Sequence, residues 1–140
     1  MATSAIPKFV KKEITDVWVG ESWKLMLLNN THTINAGTQQ YVSDVVAKEI
    51  VDTGGIYTAG GVAIAGKVST ADGNNYFLGA TNKTIGPGAT LNYRYGVLFK
   101  DTGNHATSPI RANIDFVTDQ IVVNGTSTIQ WNALGIIYVQ

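Results

Sequence analysis

Residues 91–100 read LNYRYGVLFK, and their side chains alternate between two faces. One face is apolar and carries Leu91, Tyr93, Tyr95, Val97 and Phe99. The other face is mostly polar and carries Asn92, Arg94, Leu98 and Lys100. A period of two residues is typical of a β-strand that buries one face, because successive side chains point to opposite sides of a sheet.

The same period continues on both sides of this stretch. Residues 62–68 and 110–116 alternate in the same way, and turn-forming residues separate the runs. Gly86-Pro87-Gly88 predicts a turn, and Asn124-Gly125 predicts a tight hairpin, since both of its residues tolerate a positive φ. Without strand–helix alternation, the pattern predicts an all-β chain that forms a single antiparallel β-sandwich of jelly-roll or Greek-key type.

Closer to the N-terminus the pattern becomes mixed. Residues 21–29 are apolar on both faces, which predicts a central strand. Residues 38–50 contain the one helical candidate, with apolar residues near helical spacing. The adjacent Val45 and Val46 disfavour a long helix, so we expect a short helix near residues 39–46. The predicted organisation is an N-terminal arm at residues 1–20 and a β-sandwich domain at residues 21–140.

The arm has two interpretations. It is either a solvated terminus or a segment that docks on a neighbouring subunit. The second interpretation gives Phe9, Val10, Val17 and Trp18 as buried anchors, because aromatic residues contribute disproportionately to interfaces. The candidate partner interface then consists of Lys8, Phe9, Val10, Lys11, Lys12, Val17 and Trp18.

Composition argues against several classes of partner. The net charge is zero and only 14% of residues are charged, whereas phosphate recognition requires an excess of Lys and Arg. No apolar run approaches the roughly 20 residues that span a bilayer, and no secretory leader is expected. We therefore predict neither nucleic acid nor membrane as a partner. Low charge near neutrality favours association, so a homo-oligomer is expected.

No catalytic, metal or cofactor site is predicted. His32 and His105 lie in polar segments without nearby ligand residues, and we expect both to be solvated. A nucleophile elbow is absent from the sequence, and the paired glycines at 54–55 and 60–61 lack the rest of a phosphate loop. Five aromatic residues would stack on sugar rings if they were exposed, or fill the core if they were not: Trp18, Trp23, Tyr41, Tyr57 and Tyr76.

Several segments, in order, resemble a family of small virion proteins of tailed bacteriophages. Residues 54–62 resemble a GTGYTAGG block, and residues 94–103 resemble RYAVIYKDTG. Residues 108–116 resemble SPLIAYIDFG, and residues 128–136 resemble FTIQWNAAGI. Upstream, KLMLLN at 24–29 and YVSD at 41–44 also fit, so the resemblance covers residues 22–140.

The resemblance implies a non-enzymatic structural role in the virion. A capsid decoration or cement protein would bind the outside of the head shell and stabilise contacts between major capsid subunits. It would be assembled in the host bacterial cytoplasm, and its partners would be the major capsid protein and further copies of itself. The alternative is a tail or fibre component with a receptor- or glycan-binding β-sandwich.

Overall fold

The computed structural model describes residues 2, 4–133 and 135–139. Met1, Thr3, Leu134 and Gln140, which belong to the predicted arm and domain, lie outside the described residues. The described residues form one α-helix and the following strands: α1 Lys8–Val19, β1 Trp23–Leu28, β2 Val62–Ile64, β3 Val68–Asp72, β4 Asn75–Gly79, β5 Lys83–Lys100, β6 Ile110–Ile129 and β7 Ile137–Val139.

The chain divides into two compact units. The first unit contains Met1–Glu21, Ala65–Asn82 and Gln130–Gln140, and the second contains Ser22–Ile64 and Lys83–Ile129. The residues of the predicted arm therefore share a unit with two later segments. The division into an arm at 1–20 and a domain at 21–140 stays a prediction.

The second unit is an antiparallel sheet with the strand order β2-β1-β5-β6. β1 is central, as its two apolar faces predict, and Leu25, Met26, Leu27 and Leu28 are fully buried. The core beside it contains Met26, Leu28, Val42, Val45, Val97 and Phe99. Val97 and Phe99, which lie on the predicted apolar face of β5, thus share this core with Met26 and Leu28 of β1.

The predicted hairpin at Asn124-Gly125 is wrong, because β6 runs without a turn from Ile110 to Ile129. Gly86-Pro87-Gly88 likewise lies inside β5 rather than between two strands. The register shows why. Ile85 pairs with Ser127 and Ala89 with Gly125, so the two presumed turns face each other as irregularities of one long strand pair.

Close approach of the two strands requires glycine at position 86. A Cβ on Gly86 would lie 2.6 Å from the carbonyl oxygen of Gly125, and its φ is +133°. Asn124 adopts a φ of +45°, so its tolerance of positive φ is used in a bulge and not in a turn. Turn-forming residues here interrupt the strand pair without reversing the chain, because β5 and β6 pair again on both sides of them.

The predicted short helix near residues 39–46 is present as two 3-10 turns, Val42–Asp44 and Val46–Lys48. Val42 and Val45 are buried, and Asp44 accepts the backbone N–H of Tyr41 at 2.9 Å. β-branched residues lose side-chain freedom in an α-helix, which favours these short turns.

The first unit contains the sheet β3-β4-β7 and helix α1. A tight turn at residues 72–75 joins β3 to β4, since Asp72 pairs with Asn75 across it. Helix α1 packs on β3 and β4. The predicted strand at 62–68 is divided into β2 and the start of β3, which belong to different units. The all-β, antiparallel class is confirmed for the described residues.

Candidate interaction surface on helix α1

Helix α1 contains all seven residues of the predicted partner interface. Pro7 precedes it, and the Pro7 carbonyl accepts the backbone N–H groups of Val10 and Lys11 at 3.0 and 3.2 Å. Proline suits the start of a helix because it lacks an N–H and its φ is already helical. Gly20 ends the helix.

The face of α1 that packs on the sheet is polar at its centre. Thr15 is fully buried, and its Oγ1 lies 2.5 Å from Oγ of Ser69 in β3. Lys11 is 8% exposed, and its Nζ donates to the Asn74 carbonyl at 3.2 Å and to Asn75 Oδ1 at 2.8 Å. A buried ammonium group needs such acceptors, because an unpaired buried charge is strongly unfavourable. These hydrogen bonds fix which side of the helix faces outward.

The opposite side of the helix exposes apolar residues. Phe9 is 69% exposed and Val17 is 63% exposed, although a large apolar side chain gains most when it is buried. These two residues are eight apart and Glu13 lies midway, so all three follow one line along the helix. Val10 lies beside this line and is also exposed. We call Phe9, Val10 and Val17 the outer apolar face of α1.

A shallow groove adjoins the outer apolar face. It has a volume of about 460 Å³ and is lined by Glu13, Ile14, Val17 and Trp18. Ile14 and Trp18 are half-buried, and both contribute apolar surface to the lining of this groove. An apolar groove next to an exposed aliphatic side chain such as Val17 is typical of a site that receives side chains from a protein partner.

The charged residues at this surface are of both signs. Lys12 pairs with Asp16 one turn further along the helix. This hydrogen bond raises the pKa of Lys12. Lys8 Nζ lies 5.8 Å from the centre of the Tyr76 ring in β4, a cation–π contact that ties the start of the helix to its sheet. The mixed charge fits a protein surface better than a polyanion.

The structure separates the predicted interface residues into two groups. The exposed residues are Lys8, Phe9, Val10, Lys12 and Val17, whereas Lys11 is buried and Trp18 is half-buried. Glu13 and Ile14 line the groove but were not among the sequence candidates. Both residues follow Phe9 and Val10 at a helical spacing of four. That spacing indicates the groove only if the N-terminal arm is helical, which its mixed sequence did not predict.

The five aromatic residues considered for sugar stacking differ in exposure, since Trp23 is buried and Tyr41 is exposed. Tyr57 is 4% exposed, and its hydroxyl donates to Glu49 Oε1 and accepts the N–H of Leu27. Burial raises the pKa of Tyr57. Tyr76 is half-buried and lies beneath Lys8. Tyr57 is thus a core residue of the second unit.

The prediction that His32 is solvated is wrong. His32 is 4% exposed, and its ring lies edge-on to Tyr95 with a centroid distance of 5.5 Å. Its Nε2 is buried and has no hydrogen-bond partner among the described residues. Desolvation, helped by the nearby charge of Lys48, lowers the pKa of His32. His105 is half-buried.

Asp52 was not identified as important from the sequence, yet its carboxylate organises a loop of the second unit. Oδ1 accepts the N–H groups of Gly54 and Thr90, both at 2.8 Å. Oδ2 accepts those of Ile56 at 2.8 Å and Tyr57 at 2.7 Å. Led by the bond from Tyr57, these hydrogen bonds lower the pKa of Asp52 to about 2. All four contacts are internal, so the role is structural.

The part of the chain that the structure describes contains no group of three or more His, Cys, Asp or Glu side chains placed to hold a metal ion. Among the same residues, no helix combines the length and apolar character needed to cross a bilayer.

No family model, curated protein or solved structure matches this chain. The resemblance to phage virion proteins stays a prediction. Its segments do occupy defined positions in the fold. Residues 94–103 end β5 and include a turn in which Asp101 Oδ1 accepts the N–H of Gly103 at 3.0 Å, and residues 110–116 begin β6.

Proposed function

We propose that this chain is a non-enzymatic structural protein of a tailed-bacteriophage particle. It binds the outside of the head shell and stabilises contacts between neighbouring major capsid subunits. The proposal rests on the resemblance described above and on one structural observation. Helix α1 packs through Lys11 and Thr15 and leaves its outer apolar face exposed.

The orientation of α1 supports a docking role. A helix stabilised mainly by its own unit normally buries its apolar side chains. Here hydrogen bonds of Lys11 and Thr15 hold the helix, and Phe9 and Val17 are exposed. Covering such residues with a partner stabilises the complex by about 25 cal/mol per Å² of apolar surface. The groove beside Val17 accepts a side chain of the partner.

A repeating shell suits an interface of this size. One exposed ring, two valines and a groove give a small contact, and a single small contact binds weakly. Many identical subunits in a lattice allow several copies to bind side by side, which raises the apparent affinity without new contacts at each site. The zero net charge fits recognition of a protein surface and not of packaged nucleic acid.

The proposal is tested by binding purified protein to heads that lack it. The test variant is the double substitution Phe9→Ser and Val17→Ser, and the matched control is Val68→Ser, which replaces an exposed valine of β3. We expect the double variant to lose about 2 kcal/mol of binding free energy, or roughly thirtyfold in affinity. The control should bind like the wild-type protein, and circular dichroism checks that both variants fold.

Equal binding by the double variant would contradict the proposal. Point substitutions are preferable to deletion of residues 1–19, because Lys11 and Thr15 are hydrogen-bonded to the β3–β4 hairpin and deletion would expose it. Imaging of labelled particles gives the location. Label on the head surface supports the proposal, and label confined to the tail tip would favour the tail or fibre alternative.

A further inference from the structure

Strand β6 has an edge that no strand covers among the described residues. It is the last strand in the order β2-β1-β5-β6 and is 20 residues long. An edge strand presents a row of backbone N–H and C=O groups that are available to pair with another strand. Proteins usually protect long edges with charged side chains, proline or a very short strand.

The second half of β6 lacks charged side chains and proline, and its protective feature is the bulge beside Asn124. Residues 120–129 read QIVVNGTSTI and contain no charged residue and no proline. In this stretch Ile121 is 67% exposed and Val123 is 76% exposed. The register with β5 explains their exposure, because Ile121 lies opposite the exposed Asn92 while Val122 lies opposite the buried Leu91.

A further exposed apolar residue adjoins them. Val51 is 82% exposed and lines, with Ile121 and Val123, one cleft of about 410 Å³ in the second unit. Three strongly exposed aliphatic side chains around a single cleft form a patch, in contrast to the scattered single residues that are normal on protein surfaces. The patch and the uncovered edge of β6 coincide at residues 121–123.

We propose that β6 pairs antiparallel with β6 of a second copy of this chain, about a two-fold axis at Val122. Val122 then faces its own equivalent, and Ile121 of each copy faces Val123 of the other. The four side chains of Ile121 and Val123 form one apolar cluster on the outer face of a continuous sheet of two copies. Directly opposed side chains of this kind stabilise antiparallel pairs.

The distribution of charge favours this register. The charged residues of β6 are Arg111, Asp115 and Asp119, and all lie in its first half. The register shifts of β6 lie between Asp115 and Gln120 and between Val122 and Gly125, so an axis at Val122 lies in the regular stretch 120–122. This stretch has no charged residue, so no like charges oppose each other there. An axis at Asp119 would bring two carboxylates together, which is destabilising.

The proposed pairing gives a closed dimer to which further copies do not add. The opposite edge of the sheet begins with β2, which is only three residues long and offers little for a second pairing. A two-fold pairing uses the same surface on both copies and leaves no open end. This inference concerns the protein in solution and does not depend on the proposed binding to heads.

The first experiment measures the mass of the purified full chain by light scattering over a wide concentration range. We expect a dimer of about 30 kDa, twice the chain mass of 15.0 kDa. Ile121→Lys places a charge beside the edge and should raise the dissociation constant at least about tenfold. Val68→Lys, a change of the same kind at an exposed valine of β3, should leave the dimer intact.

The second experiment tests the register in a nearly wild-type chain. The protein has no cysteine, so Val122→Cys introduces a single thiol. The pairing places the two thiols directly opposite each other, and mild oxidation should form a disulfide-linked dimer. Ile34→Cys, at an exposed loop position, should not link.

A wild-type protein that stays monomeric, or a dimer that Ile121→Lys leaves unchanged, would overturn the proposed interface. A dimer that is weakened by Ile121→Lys but is not linked through Val122→Cys would overturn the two-fold register.

Discussion

Tyr57 donates its phenolic hydrogen to Glu49 Oε1 over 2.8 Å and thereby connects two turns of the second unit. The same hydroxyl accepts the backbone N–H of Leu27 in β1 at 3.0 Å. Gly60 donates its N–H to the same carboxylate oxygen at 2.8 Å. A single buried hydroxyl thus joins the loop at residues 49–60 to the central strand of the sheet.

Replacing Tyr57 by Phe should destabilise the protein. The substitution removes the donor to Glu49 and leaves the N–H of Leu27 without its acceptor, a loss of about 1–3 kcal/mol in unfolding free energy. Urea denaturation measures the change. Tyr95→Phe keeps the ring next to His32 and is the matched control, with a smaller expected effect. Equal losses in the two variants would contradict the role assigned to Tyr57.

Stability should fall in acid because of Asp52. Its pKa lies at about 2 in the folded protein and near 3.8 when unperturbed. The folded state therefore binds this proton less readily than the unfolded state. Its stabilisation is present above pH 3.8 and is lost as the pH falls towards 2. Asp52→Asn should be less stable at pH 7, and its urea midpoint should change less between about pH 4 and 2 than that of the wild type.

The comparison with Asp52→Asn is needed because Asp101 and Asp115 also have lowered pKa values. Those residues are unchanged in the variant, so the difference between the two pH profiles isolates Asp52. Identical slopes over this acid range would show that Asp52 does not contribute the acid dependence.

A second pH effect should come from His32. Desolvation lowers its pKa in the folded state below the unperturbed value of 6.5, so the unfolded state takes up the proton first. Stability should decline as the pH falls from about 7 to 5. His32→Leu should remove this decline, while His105→Gln should keep it because His32 is intact. Thermal unfolding at the two pH values measures the effect, and a decline that persists in His32→Leu would refute it.

Glycine at position 86 should be needed for the long β5–β6 pair. A Cβ there would lie 2.7 Å from the Cα of Thr126, so Gly86→Ala forces the strands apart. Gly103 also has a positive φ, but a Cβ added to it would meet no described atom within 4 Å, so Gly103→Ala is a control for backbone strain alone. We expect Gly103→Ala to lower the free energy of unfolding by about 1 kcal/mol, and Gly86→Ala to lower it distinctly more. Urea denaturation measures both changes. Equal losses of unfolding free energy in the two variants would contradict the claim that β5 and β6 approach too closely at position 86 for any residue but glycine.

The existence of strands β1, β5 and early β6 could be predicted because their apolar runs and two-residue period are local. Burial follows that period at Leu91, Asn92 and Tyr93, but Leu98, on the face predicted to be mostly polar, is fully buried. The turns at 86–88 and 124–125 could not, since the same glycine and asparagine residues serve a hairpin or a bulge. Whether the chain reverses at Asn124 depends on β5 having the length to pair beyond it. That information is non-local, and local residue types do not contain it.

The candidate surface was predicted in part. Phe9 and Val17 were chosen as aromatic and aliphatic anchors, and both are exposed on α1. The burial of Lys11 was missed because its acceptors, Asn74 and Asn75, lie 63 and 64 positions further along the chain. His32 was assigned to solvent for a similar reason, since Tyr95 covers it from a distant strand.

The most direct test of the proposed function is photo-crosslinking in assembled particles. A photoreactive phenylalanine analogue at Phe9, which is 69% exposed, samples whatever covers the outer apolar face of α1. The same analogue at Val68 is the control. The account predicts a crosslink from position 9 to the major capsid subunit and little from position 68. A crosslink from position 9 only to tail proteins, or none in particles that contain the protein, would contradict it.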